Sequence, residues 1–382
     1  MKVLVSTTAG TGHIGPTLPV ADALRRAGHE VHWATAEPEC AALARRGFDV
    51  HPAGMTVPDR MARFVEAVPG ILEVPLRERR AIGYSVNFAV LTGPVMLDAL
   101  VPIVDAVEPD LIVHEVAELA AAPIATARGI DRIVVAFSGD LPHALVDAAT
   151  RPAAELWGRF GLEVPADLGL TSTTYLHPFA PSMGHRPPGP DVRDLAPARD
   201  VAPEAPPWLE TMGHDRPLVY ATFGTEYLPS APWPALIAAL ASLDADIVVT
   251  VGPSGDDSRI TSLADGSRGD VRIERFVPQA SVLDRASAVV SHGGAGTVLA
   301  AAARGIPQVI LPMTADQFDN ADALAEAGTA SVFLPSEVEP GAIGNAIDAA
   351  LGGANDRAAA VLAAEFAAMP DADAVVRSLG LA

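Results

Sequence analysis

The segment from Ala288 to Ala327 constrains the architecture most tightly. Val289 to Ser291 read as the end of a buried strand, Gly293, Gly294 and Gly296 as a turn, and Ala295 to Arg304 as a helix of mostly small residues. Glycine makes such a turn without the steric cost a side chain would bring. A second apolar strand, Gln308 to Leu311, follows directly. Strand, turn, helix, strand is the repeating unit of a parallel α/β sheet. A glycine-rich turn feeding a helix N-terminus is also an anion site, because free backbone N–H groups and the helix dipole point the same way. His292, at the lip of the turn, adds a donor for a phosphate. Ligands of open α/β sheets lie at the carboxyl ends of the strands. Asp316 and Gln317 follow the neighbouring strand, and a carboxylate and an amide suit hydroxyl groups. Phosphate beside a polyol points to a nucleotide sugar.

The chain has 382 residues, enough for two domains, and 49% are apolar, enough for two cores. Its 26 basic and 47 acidic residues give a formal charge of −21. Such a surface repels nucleic acid and anionic lipid, which excludes both as main partners. A phosphate ligand must therefore be held by local donors. Cys40 is the sole cysteine, so neither an internal disulfide nor a thiolate metal cluster is available. Met1-Lys2 leads straight into the strand Val3 to Thr7 with no secretory h-region, and no uncharged apolar run reaches bilayer length. A cytoplasmic protein is expected.

Val3 to Thr7 is followed by the turn Gly10-Thr-Gly-His-Ile-Gly15-Pro16, a helix from Leu18 to Ala27 closed by Gly28, the strand Glu30 to Thr35 and a helix from Glu37 to Arg46. The alternation continues through Ile112-Val113 and Ile133 to Ala136. Between them, Arg60 to Val107 reads as helices broken near Pro69, Gly83 and Pro94. Its Phe64, Tyr84, Phe88 and Met96 either pack a core or line an acceptor pocket. Prolines crowd Pro178 to Pro217 with no apolar period, which marks an extended connection. A second series then runs through Leu218 to Thr222, Ile247 to Val251, Val271 to Phe276, Ala288 to Ser291, Gln308 to Leu311 and Ser331 to Leu334, and a helical tail from Asp356 to Leu379 breaks at Pro370.

Gly10-x-Gly12-x-x-Gly15 matches the dinucleotide fingerprint, and Glu37 stands where a ribose-binding carboxylate would. Against an NAD cofactor, His13 puts an imidazole where pyrophosphate would lie, and Pro16 follows. The stronger anion site is in the other half of the chain. A histidine at the end of the first strand instead suits a general base at neutral pH. Such a base needs a carboxylate on its far nitrogen. Glu115, at the end of Asp110-Leu-Ile-Val-His114-Glu115, is the candidate. The alternative is a helix N-terminal carboxylate, and the orienting role is put ahead of it. His114 should point to the opposite face by alternation.

Gly12-His13-x-x-Pro16, Phe276-Val277-Pro278-Gln279, His292-Gly-Gly-Ala-Gly-Thr297 and Asp316-Gln317-x-x-Asn320-Ala321 occur in this order across nearly the whole chain. In these motifs the sequence resembles the family 1 nucleotide-sugar glycosyltransferases of GT-B fold. More narrowly, it resembles the actinobacterial enzymes that attach deoxysugars to antibiotic aglycones. The resemblance implies an α/β protein with two Rossmann-like domains whose parallel sheets face each other across a cleft. It implies His13 as the base that deprotonates the acceptor and Glu115 as its orienting partner, where many members carry aspartate. Phe276 would pack near the nucleotide base, where relatives often have tryptophan, and Val277 and Gln279 would contact base or ribose. His292, Gly294, Gly296 and Thr297 would hold the diphosphate, with Thr225 of the Phe223-Gly224-Thr225 turn adding a donor. Asp316 and Gln317 would bind sugar hydroxyls.

The expected division is an acceptor-binding domain over 1–205, a nucleotide-sugar-binding domain over 206–365 and a helical tail over 366–382 that packs back on the first domain. The expected partners are a TDP- or UDP-sugar and an apolar aglycone, glycosylated at a hydroxyl or an aromatic carbon, with no metal and no cofactor. A monomer or homodimer fits equally. The competing readings are a nicotinamide oxidoreductase, a nucleotide-sugar epimerase and a non-catalytic helper of the same fold. Intact His13, His292, Asp316 and Gln317 argue against the helper.

Overall fold

The computed structural model describes residues 1–184, 186–198, 205–224, 232–252, 260 and 262–382. The chain forms two compact units. Unit 1 comprises Met1–Phe179, His185–Ala196 and Met369–Ala382; unit 2 comprises Ala180–Gly184 and Pro197–Ala368.

Unit 1 is built on β1 (Lys2–Ser6), β2 (Glu30–Thr35), β3 (Asp49–Pro52), β4 (Leu111–Glu115), β5 (Asp131–Val135), β6 (Thr174–His177) and β7 (Asp191–Asp194). All pairs are parallel, in the order β3-β2-β1-β4-β5-β6-β7. A parallel sheet is covered on both faces, which is why β1 and β4 are nearly continuous apolar runs. Leu4, Ile112 and Val134 bury on one face with Leu97, Leu100 and Leu156. Val3, Val5, Val113 and Val135 bury on the other with Val20 and Leu24. The C-terminal helix Ala372–Ser378 adds Val375 and Val376 to that second face, and Asp373 pairs with Arg26 at 2.9 Å.

Strands β3, β6 and β7 were not expected from sequence. β7, Asp-Val-Arg-Asp, lies inside the proline-rich stretch taken for an extended connection. It is an edge strand, and edges carry charge to avoid pairing with other chains. Asp191 accepts from Arg193 Nε at 2.8 Å and Thr174 Oγ1 at 2.7 Å.

Arg60 to Val107 also departs from expectation. The helix Val57–Ala67 ends before Pro69, but Leu76–Tyr84, a π-helical stretch Ser85–Thr92 and Gly93–Val107 join without a break. Pro94 lies in the first turn of its helix, where a missing N–H is tolerated. The 32-residue rod Leu76–Val107 is long and apolar enough to cross a membrane by length and composition, which the broken reading did not find. Its Met96, Leu97, Leu100 and Val104 are buried in the core of unit 1.

Unit 2 holds β8 (Leu218–Thr222), β9 (Asp246–Thr250), β10 (Val271–Glu274), β11 (Ala288–Ser291), β12 (Gln308–Ile310) and β13 (Ala330–Val332), the six strands read from sequence. They too are all parallel, in the order β10-β9-β8-β11-β12-β13. In each sheet the first strand lies between the second and the fourth. The strand order therefore reverses between β1 and β4, and again between β8 and β11. Connections there leave to opposite faces and open a crevice at the carboxyl ends.

Candidate functional site

His13 and Glu115 meet at the reversal point of unit 1. The helix after β1 spans Thr11–Arg26, so His13 sits in its first turn rather than in a loop that runs on to Pro16. Glu115 is the last residue of β4 and is fully buried. His13 Nδ1 stands 3.2 Å from Glu115 Oε1, an ion-pair distance without the alignment of a full hydrogen bond, and it has no other hydrogen-bond partner. Thr8 donates to the same oxygen through its hydroxyl at 2.9 Å and its amide at 3.3 Å, and the Ala117 amide donates to Oε2 at 2.5 Å. Burial pushes the Glu115 carboxyl up, but His13, the Ala117 amide and Thr8 together hold it below its ordinary value. Glu115 is thus a buried anion aimed at an imidazole.

The Phe88 and Phe137 rings stand edge-on to His13, with centroids at 5.5 and 5.2 Å. Both are half-buried, so one side of the imidazole faces an apolar wall. Phe88 is carried by the π-helical stretch, with Arg60 stacked over it at 5.4 Å. His114 points to the other face, as expected, where burial drops its pKa to about 4. Glu118 accepts from the Ala120 and Ala121 amides at 2.8 and 3.1 Å, at the start of the helix Ala121–Arg128. Burial raises its carboxyl to about 7.

The dinucleotide fingerprint lacks its usual geometry. Its third glycine normally permits close helix–strand packing. Here Gly12 and Gly15 both face open space, and only Gly10 of the three has a positive φ, 115°. Glu37 is exposed in the first turn of its own helix.

In unit 2, His292 follows β11 at the reversal point. Its ring lies between two glycines. A Cβ on Gly224 would come within 3.1 Å of Cε1, and one on Gly294 within 2.7 Å of Nε2. Gly293, at φ 88°, leaves no room for a side chain either, because a Cβ would meet Ile310 Cγ2 at 2.9 Å. The imidazole is 8% exposed, and burial lowers its pKa to about 4 against the opposing pull of the Thr222 carbonyl. His292 is therefore a neutral imidazole with a single ring N–H at pH 7, not a cation. The helix Ala295–Ala302 begins beside it. Thr297 and Val298 amides bond back to the Gly294 carbonyl at 3.0 and 3.1 Å. Gly296 has open space around it. Gln279 Nε2 donates to Thr297 Oγ1 at 2.9 Å, leaving that hydroxyl's proton for another acceptor.

Asp316 and Gln317 are drawn to the same place. Asn320 Nδ2 donates to Asp316 Oδ2 and to the Gly293 carbonyl, both at 2.9 Å, and so ties the end of β12 to the glycine turn. Gln317 is 3% exposed, and its Oε1 accepts from the Met313 and Thr314 amides at 2.9 and 3.0 Å. Phe276 is 75% exposed after β10, beside a cavity of about 430 Å³ lined by Val251, Ile273, Glu274, Arg275 and Phe276. Val277 points the other way and is 5% exposed in the core with Leu218, Tyr220 and Val289. A contact of Val277 with base or ribose would therefore be made through its backbone. Thr225 lies outside the described residues. Among the described residues, no group of three or more His, Cys, Asp or Glu side chains is placed to hold a metal.

Thr8, Phe137, Asn320 and Gly224 were given no role from sequence. Asn320 and Gly224 carried a signal, in the Asp316-Gln317-x-x-Asn320 motif and the Phe223-Gly224-Thr225 turn. Thr8 and Phe137 are brought in by strand order, which one sequence does not display.

Residues 234–380 match the family described as erythromycin biosynthesis protein CIII-like, C-terminal domain. The chain is 30% identical over 348 residues to the L-demethylnoviosyl transferase of Streptomyces niveus, covering 89% of this chain and 86% of that protein. It is 29% identical to the TDP-daunosamine transferase DnrS of Streptomyces peucetius, covering 95% and 90%. The structure of glycosyltransferase VinC in complex with dTDP matches with a TM-score of 0.80 at 25% identity, over 100% of this chain and 98% of that one. Spinosyn rhamnosyltransferase SpnG shares the fold at a TM-score of 0.78 and 24% identity, over the full length of both.

Proposed function

Because the chain belongs to the actinobacterial antibiotic glycosyltransferases of GT-B fold, we propose that it transfers a deoxysugar from TDP to an apolar acceptor in one inverting displacement, with His13 as the base. The observation that carries this reading is the His13–Glu115 pair at the β1/β4 reversal, with Phe88 and Phe137 beside it. The names of DnrS and VinC's ligand support TDP as the carrier. Residues 1–205 are read as the acceptor half and 206–365 as the donor half, with the tail 366–382 serving the first.

His13 Nε2 takes the acceptor's hydroxyl proton while Nδ1–H faces Glu115. The buried carboxylate stabilises the imidazolium as it forms and fixes the tautomer. The acceptor oxygen attacks the anomeric carbon, and the bond to the diphosphate oxygen breaks. The leaving group's new charge meets the His292 N–H, the first amides of the helix Ala295–Ala302 and the Thr297 hydroxyl. No metal takes part in this reading. Asp316 and Gln317 hold sugar hydroxyls, and Phe276 covers the nucleotide base. A single displacement inverts the anomeric centre. The test is transfer from TDP-sugars to hydroxylated polycyclic acceptors by wild type and His13→Ala. A positioned base supplies about 10²–10⁴ in rate, so His13→Ala should lose transfer by that order and keep TDP affinity. Near-normal turnover would remove His13 as the base.

A further inference from the structure

We infer that Thr8 is a positioning residue for this reaction: its hydroxyl holds the Glu115 carboxylate in the orientation that faces His13. The inference rests on the His13–Glu115 reading above. Thr8 is 2% exposed, just beyond β1. Its hydroxyl and amide both donate to Oε1, the oxygen that faces His13 Nδ1, while the Ala117 amide occupies Oε2. With both oxygens engaged, the carboxylate has one orientation. Among the described residues, the Thr8 hydroxyl is the only side-chain donor to this carboxylate besides His13.

Thr8 is itself fixed. Its neighbour Thr7 donates its amide to the Ala34 carbonyl at 3.1 Å, and its hydroxyl accepts from Trp33 Nε1 at 3.0 Å. Trp33 is wholly buried. The turn is thus pinned by Thr7, and Thr8 is left to face Glu115. A carboxylate held in one orientation keeps one oxygen on Nδ1 and so orients the imidazole. Among the described residues, the titratable groups that interact with Glu115 are His13 from the helix Thr11–Arg26, Tyr84 from the helix Leu76–Tyr84, His114 from β4 and Glu118 from the turn after β4. All four are retained in the Thr8 variants.

Thr8→Val keeps the branched shape and removes the donor, and Thr8→Ser keeps the donor. The test is NMR of the full-length protein carrying isotope-labelled histidine, with the His13 signal identified by its loss in His13→Ala. Thr8→Val should move the pH at which that signal titrates downward, because a carboxylate no longer held toward Nδ1 stabilises the imidazolium less. Thr8→Ser should restore it. If Thr8→Val does not fold, Thr8→Ala is read in its place. A signal unmoved or moved upward by Thr8→Val, or moved equally by Thr8→Ser, overturns the inference. Glu115→Gln separates the two claims. If it leaves the His13 signal unmoved, the pair itself fails and Thr8 with it. If it moves the signal while Thr8→Val does not, only the Thr8 inference falls.

Discussion

Glu115 is a fully buried anion, held by two amides, a hydroxyl and an imidazole. Glu115→Gln keeps the shape but brings an NH2 against a donor on one side or the other. An unsatisfied buried donor costs about 1–3 kcal/mol. The expected outcome is a lower thermal midpoint together with transfer about 10²-fold slower, measured by calorimetry and by product formation. At the other site, two glycines give contrasting expectations. Gly294→Ala drives a methyl against His292 Nε2, so TDP affinity should fall at least ~10-fold as the ring moves. Gly296→Ala meets nothing in the protein and removes a helical glycine, so stability should hold or rise by up to ~1 kcal/mol. If a phosphate lies against Gly296, TDP affinity should still fall, and thermal melting beside titration separates the two effects. His13, His292 and the glycine turn were legible in the sequence because their chemistry is local. Thr8 was not, because its partner is brought to it by the pairing of β1 with β4.

Among elements, the strands of unit 2 were the most legible, since buried parallel strands are continuous apolar runs bounded by glycine and proline. The charged edge strand β7 was not, because nothing in Asp-Val-Arg-Asp alternates. The rod Leu76–Val107 was misread because Gly83 and Pro94 look like breaks, whereas a π-helical stretch carries the chain through. π-Helical turns often occur at functional sites, and this one presents Phe88 to His13. Phe88→Ala removes that wall but touches neither Glu115 nor the glycine turn. Acceptor KM should therefore rise by roughly 10-fold or more, the effect of about 1.4 kcal/mol of lost apolar contact, with TDP affinity unchanged. An unchanged KM would put the acceptor elsewhere.

For the whole molecule, the buried titratable groups set how each unit responds to acid. His292 in unit 2 and His114 in unit 1 both have folded pKa values of about 4, below the ordinary 6.5. The unfolded chain binds their protons more readily. Stability is therefore full above pH 6.5 and is lost as pH falls from there toward 4, by on the order of 3 kcal/mol for each histidine. Glu118 in unit 1 acts in the opposite sense. Its folded pKa is raised from 4.5 to about 7, so its penalty, present above pH 7, is relieved as pH falls toward 4.5. In unit 1 the two effects oppose each other, and in unit 2 the His292 effect has no such counterweight among the cited groups. Scanning calorimetry between pH 7 and 4.5 should show the unit 2 transition falling faster, and His292→Gln should flatten it. Equal slopes in both units would contradict this.

The most direct test of the whole account is calorimetric titration with TDP, in EDTA, of wild type, His13→Ala and His292→Ala, with NADH in parallel. The expected result is TDP binding in wild type, unchanged in His13→Ala and lost or strongly weakened in His292→Ala. Absence of TDP binding, or NADH binding in its place, would contradict it and return the function to the Gly10-Gly12-Gly15 turn.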